Sequence, residues 1–333
     1  MDAATIAPPP DREAARGRSV ISFLNRYGTG LFLLLVCAFF LSQNPRFLSP
    51  RNIANILTDV SIYGVIAVGM TFVIITSGVD LAVGSTLAFT SMVAAWLVNL
   101  SGFAVGPSWL VALAGSVAVG TAVGYVHGKA TTLLSVPAFI TTLGGMTIWR
   151  GATMLINDGG PISGFDAGLR WWGTGAVAGI PVPILVFALV AAIGYIVQRY
   201  TRYGRQIYAV GGNIEAARLS GLNVKAVETS VYVIVGLLSG LAGFLLMARL
   251  NSSEAVGGVG YELRVIASVV IGGASLAGGV GGIGGTIIGA LLIGVLSNGL
   301  VMMGVNAYYQ QIVIGAIIVL AVAFDTYAKK HGR

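Results

Sequence analysis

IYGVIAVGMTFVIITSGVDLAVGSTLAFTSMVAAWLVNL, residues 62–100, is the stretch on which the fold turns. Asp80 is its only charged residue, and two apolar runs flank it, near 60–78 and 82–100. A bilayer core of about 30 Å takes roughly 20 apolar residues as a helix, so each run has the length of one crossing. Outward from this pair the pattern recurs near 29–44, 108–128, 134–156, 176–198, 228–249, 263–277, 281–303 and 308–327, making ten segments. The expected fold is all-α: a polytopic membrane protein of about ten transmembrane helices, some discontinuous, occupying 28–328. A polar tail, 1–27, precedes it and a short tail, 329–333, follows it.

Composition points to the same solvent. The chain has 333 residues, is 56% hydrophobic and only 9% charged, with a mean hydropathy of +0.88. Soluble domains are about a quarter charged, so this chain cannot clothe itself for water. Its 48 glycines against 10 prolines suit helices that approach closely or break beside a path. The net charge of +7 is no nucleic-acid patch, because the basic residues lie between apolar runs. The lone Cys37 cannot form an internal disulfide, and with only His127 and His331 no metal cluster is available.

The basic residues orient the segments. Arg12, Arg16, Arg18 and Arg26 precede the first; Arg199, Arg202, Arg205, Arg218 and Lys225 fall in 199–227; Lys329, Lys330 and Arg333 follow the last. These regions hold 12 of the 19 positive residues. Placing all three in the cytoplasm requires an even number of crossings before and after 199–227, and six and four satisfy this.

Glycine marks further features. Gly120, Gly124 and Gly128 lie four apart, as do Gly236 and Gly240, and Gly281, Gly285 and Gly289, giving stripes for close helix contact. The run at 263–277 is too short, since about 13 helical residues rise only about 20 Å. Gly272, Gly273, Gly278 and Gly279 interrupt it. It reads either as a discontinuous helix beside a substrate path or as a packed helix with a misplaced end. GVDLAVG (78–84) and GASLAGG (273–279) share G-x-x-L-A-x-G. In so glycine-rich a chain chance accounts for the echo at least as well as a repeat; the segment count gives both one orientation, which an inverted five-plus-five repeat would not, so either the count is off or the match is chance.

No enzyme constellation is present. A G-x-x-x-x-G-K-[ST] loop is missing, since Ala130 follows Gly128-Lys129, so the chain cannot cradle ATP phosphates in that way. H-E-x-x-H, G-x-S-x-G and C-x-x-C are also missing. Neither histidine has an obvious carboxylate neighbour. Catalytic residues, cofactor and metal are all read as none.

In the basic stretch TRYGRQIYAVGGNIEAARLSGLNV (201–224), Glu215, Ala216 and Ala217 are followed by Arg218 and, at the end of the motif, Gly221. This resembles the EAA---G loop of ABC importer permeases, which docks as a short helix into a separate ATPase subunit. The small alanines suit close docking, Gly221 permits a turn, and Glu215 and Arg218 can pair across an interface.

The wider chain is similar to the ribose/xylose/galactose-type permeases of the branched-chain amino-acid and monosaccharide importer family. The likeness rests on GMTFVIITSGVDLAVGS (69–85), VPAFITTLGGMTIWRG (136–151), GGPISG (159–164), the 201–224 stretch and YELRVIASVVIGGASLAGG (261–279). It implies a multi-pass protein of the bacterial inner membrane that translocates a monosaccharide or related small polar solute. The implied partners are an ABC ATPase, a periplasmic sugar-binding protein and a second permease chain, identical or related, all around membrane lipid. Arg264 departs from the acidic or neutral residue common after Tyr-Glu-Leu, and Glu262 is a candidate partner for it. The rival readings are an ion-gradient-driven secondary transporter, a membrane-embedded enzyme and a scaffold.

Five residues are candidates for the translocation pathway. Asp80 is either a buried functional carboxylate or the N-cap of the following helix. Thr141, Thr142, Trp149 and Asn157 suit the hydroxyls and ring face of a sugar. The plainer account is that the threonines bond their own helix and Trp149 anchors at the interface. Trp171 and Trp172 read as an aromatic belt or, with Arg46, Arg51 and Arg170, as a surface for the binding protein.

Overall fold

The computed structural model describes residues 12–100 and 107–331, and along them every predicted apolar segment falls on a helix. In chain order the helices are α1 (Arg12–Gln43), α2 (Pro50–Ile75), α3 (Val83–Leu100), α4 (Ser108–Leu133), α5 (Ala138–Leu155), α6 (Ala167–Thr174) and α7 (Val182–Tyr200). Then come α8 (Arg202–Gly212), α9 (Ile214–Leu219), α10 (Val224–Leu250), α11 (Tyr261–Ile271), α12 (Ile283–Met302) and α13 (Ala307–His331). Six of them, α2, α3, α4, α7, α10 and α12, are long and apolar enough to cross a membrane. The first helix begins at Arg12, well before the expected start near 29. Its Arg, Ala, Glu and Leu residues are good helix formers, so charge there does not end the helix. Residues 1–11 of the predicted tail lie outside the described residues, as do 332–333.

α2 is the axis of the bundle. Every residue from Val60 to Ile75 is buried, as for a helix surrounded by others. Its hydroxyls turn back on the helix or reach a neighbour. Ser61 and Thr71 donate to the carbonyls of Leu57 and Ala67 at 2.6 and 2.7 Å. The Tyr63 hydroxyl donates to Ala290 O at 2.8 Å, and Thr71 and Thr286 share a bond of 2.7 Å. Both contacts fasten α12 to the axis.

Glycine makes the closest helix contacts. A Cβ on Gly120 or Gly124 of α4 would overlap the carbonyl oxygens of Gly236 or Tyr232 on α10. A Cβ on Gly236 or Gly240 would in turn strike the carbonyls of Gly120 and Ser116. A second seam joins α11 to α12, where Gly285 and Gly289 lie on the carbonyls of Gly272 and Ser268. The stripes legible in the sequence therefore bring backbone onto backbone, the arrangement small residues allow in membranes.

The end of the bundle that carries α6 is closed by aromatic packing and short strands. Trp172 stacks on Trp109 at 5.2 Å and meets Phe244 at 5.9 Å. Strand β1 (Ile162–Ser163) pairs with β4 (Ser252–Ser253), while β2 (Ala176–Val177) and β3 (Ile180–Pro181) form a hairpin. Its two-residue turn, Ala178-Gly179, has positive φ at both positions, the I′ geometry that matches strand twist. Asp166 caps α6 by accepting from the Gly168 and Leu169 N–H groups, and accepts from the Ser108 hydroxyl. The Ser108 bond, more than the two backbone N–H groups, holds its carboxyl below the usual 3.8. A carboxyl lowered on folding stabilises above its unfolded pKa and loses that contribution as pH falls through the folded value. Asp166→Ala should therefore cost about 1 kcal/mol near neutral pH, with the difference from wild type shrinking as the pH falls below the usual carboxylate range. Thermal unfolding in detergent across that range checks it, and a deficit independent of pH would contradict the capping role.

After α10 the chain turns at Asn251, φ 52°, pairs briefly as β4 and returns through a series of turns over 255–260. Arg150 of α5 holds that loop by donating to Ala255 O and Gly257 O at 2.6 and 2.9 Å. Gly258 reaches the start of α3, where its carbonyl lies against Gly84. This return takes the place of a first half of α11, which is why that apolar segment is short: α11 has 11 residues, a rise of about 16 Å.

Candidate functional site

Two interruptions of helix meet at the opposite end of the bundle. One is 76–82, between α2 and α3, and the other is 272–282, between α11 and α12. The Gly279 N–H donates to Ile75 O at 2.8 Å, and the Ser77 hydroxyl donates to Ala277 O at 2.9 Å. Gly273, Gly278 and Gly279 have φ of 93, 86 and 70°, which disfavours any side chain. Gly272 is different: its φ is −66°, and it is required for the seam against Gly285 rather than for its backbone angle.

The repeated G-x-x-L-A-x-G pattern has a structural basis. Asp80 Oδ1 accepts from the Ala82 N–H at 2.8 Å, and Ser275 Oγ accepts from the Ala277 N–H at 3.2 Å. Both are the third residue of the pattern, and both close the same local turn. The pieces lie at one end of the bundle and touch. Chance is thus a poorer account of the echo than shared turn chemistry.

Asp80 is also part of a buried polar chain. It and His127 of α4 are each 2% exposed. His127 Nδ1 lies 3.6 Å from Asp80 Oδ2, and the Trp149 indole N–H donates to His127 Nε2 at 2.9 Å. Because Nε2 accepts, the imidazole proton belongs on Nδ1, facing the carboxylate. The sequence suggested no carboxylate near either histidine; the fold supplies Asp80 to His127, because α4 passes the α2–α3 break. Gly145 of α5 leaves room for the ring, since a Cβ there would overlap Nε2. Trp149 stacks on Phe89 at 5.2 Å, so it is an internal partner and not an interfacial anchor. Asp80 closes the turn ahead of α3 and is a buried acidic group; its acceptor meets the Ala82 N–H, before the helix begins at Val83, so it is not the helix cap.

The remaining pathway candidates separate. Thr142 is buried and donates to Ala138 O at 2.9 Å and Val79 O at 3.3 Å. It ties α5 to the break, beside the Asp80 chain. The Thr141 hydroxyl is buried without a hydrogen-bond partner among the described residues. Asn157 lies elsewhere, exposed at φ 56°, and donates to Gly160 O and Pro161 O at 3.3 and 3.2 Å. It is a turn residue, for which asparagine's tolerance of positive φ is sufficient cause.

The α8–α9 region packs against both breaks. Gly211 lies on Ile75 O and on the Gly279 N–H. The Tyr208 hydroxyl donates to Gly281 O at 2.6 Å; burial pushes that phenol up, against the opposing pull of Arg199, so it stays a donor. Asn213 caps α9 by accepting from the Ala216 N–H at 2.9 Å, and Gly221 ends the turn at φ 82°. The short helix expected within 201–224 is Ile214–Leu219. Ala217 is 4% exposed and faces the chain's own core, while Ala216 faces out. Arg218 pairs with Glu215 on the same helix at 3.1 Å. Two exposed apolar side chains that the motif did not point to, Ile214 and Leu219, complete the outer face, Leu219 at 88% exposure.

Sequence models of protein families match residues 52–322 to the branched-chain amino acid transport system / permease component family. The chain belongs to that family. Among curated proteins, the permease is 46% identical over 297 residues to the ribose import permease protein RbsC of Escherichia coli (strain K12), covering 88% of this chain and 91% of that one. It is 40% identical over 309 residues to the D-allose transport system permease protein AlsC of the same strain, covering 92% and 94%. It is 36% identical over 334 aligned positions to the galactose/methyl galactoside import permease protein MglC of that strain, covering 95% and 99%. No solved structure matches the permease.

Sequence reasoning about this permease missed a second ionic group near the α6 end. Asp59 of α2 pairs with Arg249 of α10 at 3.3 Å and with Arg264 of α11 at 3.9 Å. Glu262, the candidate partner of Arg264, instead accepts from its own Gly260 N–H at 3.2 Å. Asp59 sits within an amphipathic start of α2, and only helix packing reveals which arginines reach it.

Proposed function

We propose that this chain is the transmembrane subunit of an ATP-binding-cassette importer for a monosaccharide or a related small polar solute. The close similarity to import permeases for ribose, D-allose and galactose carries this reading. In it the chain makes ten crossings of the inner membrane with both termini in the cytoplasm. A separate ATPase supplies hydrolysis, a periplasmic protein delivers the solute, and a second permease chain completes the path.

The docking element in this reading is α9. Leu219 and Ile214 offer apolar anchors, ringed by the exposed Glu215–Arg218 pair. Movement imposed on α9 passes to α8 and then, through Gly211 and Tyr208, to both helix breaks. A partner shifts such an equilibrium only by binding its two states differently.

The test uses the chain reconstituted with the ATPase and binding protein of its own gene cluster. Leu219→Glu should weaken ATPase association roughly thirtyfold, about 2 kcal/mol. Glu215→Arg, or a bulky residue at Gly221, should leave the chain in the membrane but uncouple ATP hydrolysis from uptake. Normal assembly and uptake in all of these variants would remove the docking assignment. Uptake that stops on collapse of the ion gradient, with ATP still present, would favour a secondary transporter instead.

A further inference from the structure

A cavity of about 350 Å³ lies within the single chain, between the α2–α3 break, the start of α9 and the facing ends of α4, α5 and α10. At about 30 Å³ per water molecule, this is room for about a dozen heavy atoms, the size of a monosaccharide. Its polar wall carries Thr76, Thr131, Asn213, Glu228 and Tyr232, and Ala138 is among its apolar residues.

Much of that polar wall is not committed elsewhere. Thr131 Oγ1 is buried with no hydrogen-bond partner among the described residues. Among the described residues Tyr232 makes only a long bond, 3.4 Å, to Val79 O. The half-buried Glu228 carboxylate feels Arg218 and Lys225 electrostatically, and it accepts no hydrogen bond among the described residues. Asn213 uses Oδ1 to cap α9, and its amide N–H groups have no hydrogen-bond partner among the described residues. Acceptors, donors and an aromatic ring around one small volume match a neutral ligand with several hydroxyls. A carboxylate can accept from two neighbouring hydroxyls, and it repels phosphorylated or acidic ligands.

We infer that this cavity is a binding site for a neutral monosaccharide on the α8–α9 side of the permease, inside each chain. The inference rests on the transport reading and makes the site a stop on the solute's way off the protein. An occupant touches Asn213 and so meets the docking helix directly. With few buried contacts, the affinity belongs in the millimolar range, about 4 kcal/mol of binding.

The experiment uses a Cys37→Ser chain carrying Thr131→Cys, assembled with its ATPase in inside-out vesicles. A membrane-impermeant maleimide is the probe. D-ribose, D-allose and D-galactose are supplied separately, well above millimolar concentration, with sucrose as a sugar too large for the volume. At least one monosaccharide should slow labelling several-fold, sucrose should not, and Glu228→Gln should remove the protection. Ala138→Cys reports on the same cavity should the first variant not assemble. Equal labelling with all three monosaccharides, or equal protection by sucrose, overturns the inference whether or not the complex imports sugar. Protection that persists in a complex unable to import would leave the site standing and count against the transport reading instead.

Discussion

A His127→Ala chain is expected to lose about 3 kcal/mol of stability, from the cavity left by the ring and the lost acceptor, the largest loss among substitutions of the buried polar chain. Two groups are stranded at once. The Trp149 N–H loses its acceptor, and Asp80, 2% exposed and bonded among the described residues to the Ala82 N–H alone, loses the imidazole edge 3.6 Å away. Asp80→Ala is the milder change, because the carboxyl leaves with its partner; it removes the acceptor that closes the turn before α3, at about 1 kcal/mol. Asp80→Asn should be milder still, since an amide oxygen can accept from the same N–H. Thermal unfolding in detergent should rank the three in that order. The double variant should be more stable than the sum of the single losses predicts, by about 1 kcal/mol or more. Strict additivity would mean that the pair at 3.6 Å does not interact.

Gly236→Leu is expected to prevent α4 and α10 from closing, with a cost of about 3 kcal/mol and loss of folded chain from the membrane. Its Cβ would enter the space of the Gly120 carbonyl oxygen and crowd Gly124. Backbone occupies that space, so no rotamer change can relieve the overlap. Gly144→Leu on α5 is the control, because nothing lies within 4 Å of its Cβ position, and it should be tolerated. Expression level and thermal unfolding of the two variants read the contrast. If Gly236→Leu behaved like the control, the α4–α10 contact would have to be looser than it is here.

Some of this molecule can be read along the chain and some cannot. The apolar segments, the glycine stripes and the α9 motif are local patterns, and each falls on a structural element. Helix ends were less legible, as with α1, whose start lies among charged residues that are nevertheless good helix formers. Asp80 was visible as an isolated carboxylate, yet its partner His127 was not. Spacing along the chain holds no information about which helices cross. The same holds for Asp59, which reaches Arg249 and Arg264 through helix packing alone.

The sequence by itself determined the solvent of this protein, where its helices run, and which segment between α8 and α10 carries a short exposed helix. Tertiary structure alone decided that α2 is enclosed on all sides and that two helix breaks join beneath α8. The reason is physical. Lipid tails and protein cores are equally apolar, so hydropathy separates membrane from water but cannot tell a helix facing lipid from one buried among its neighbours.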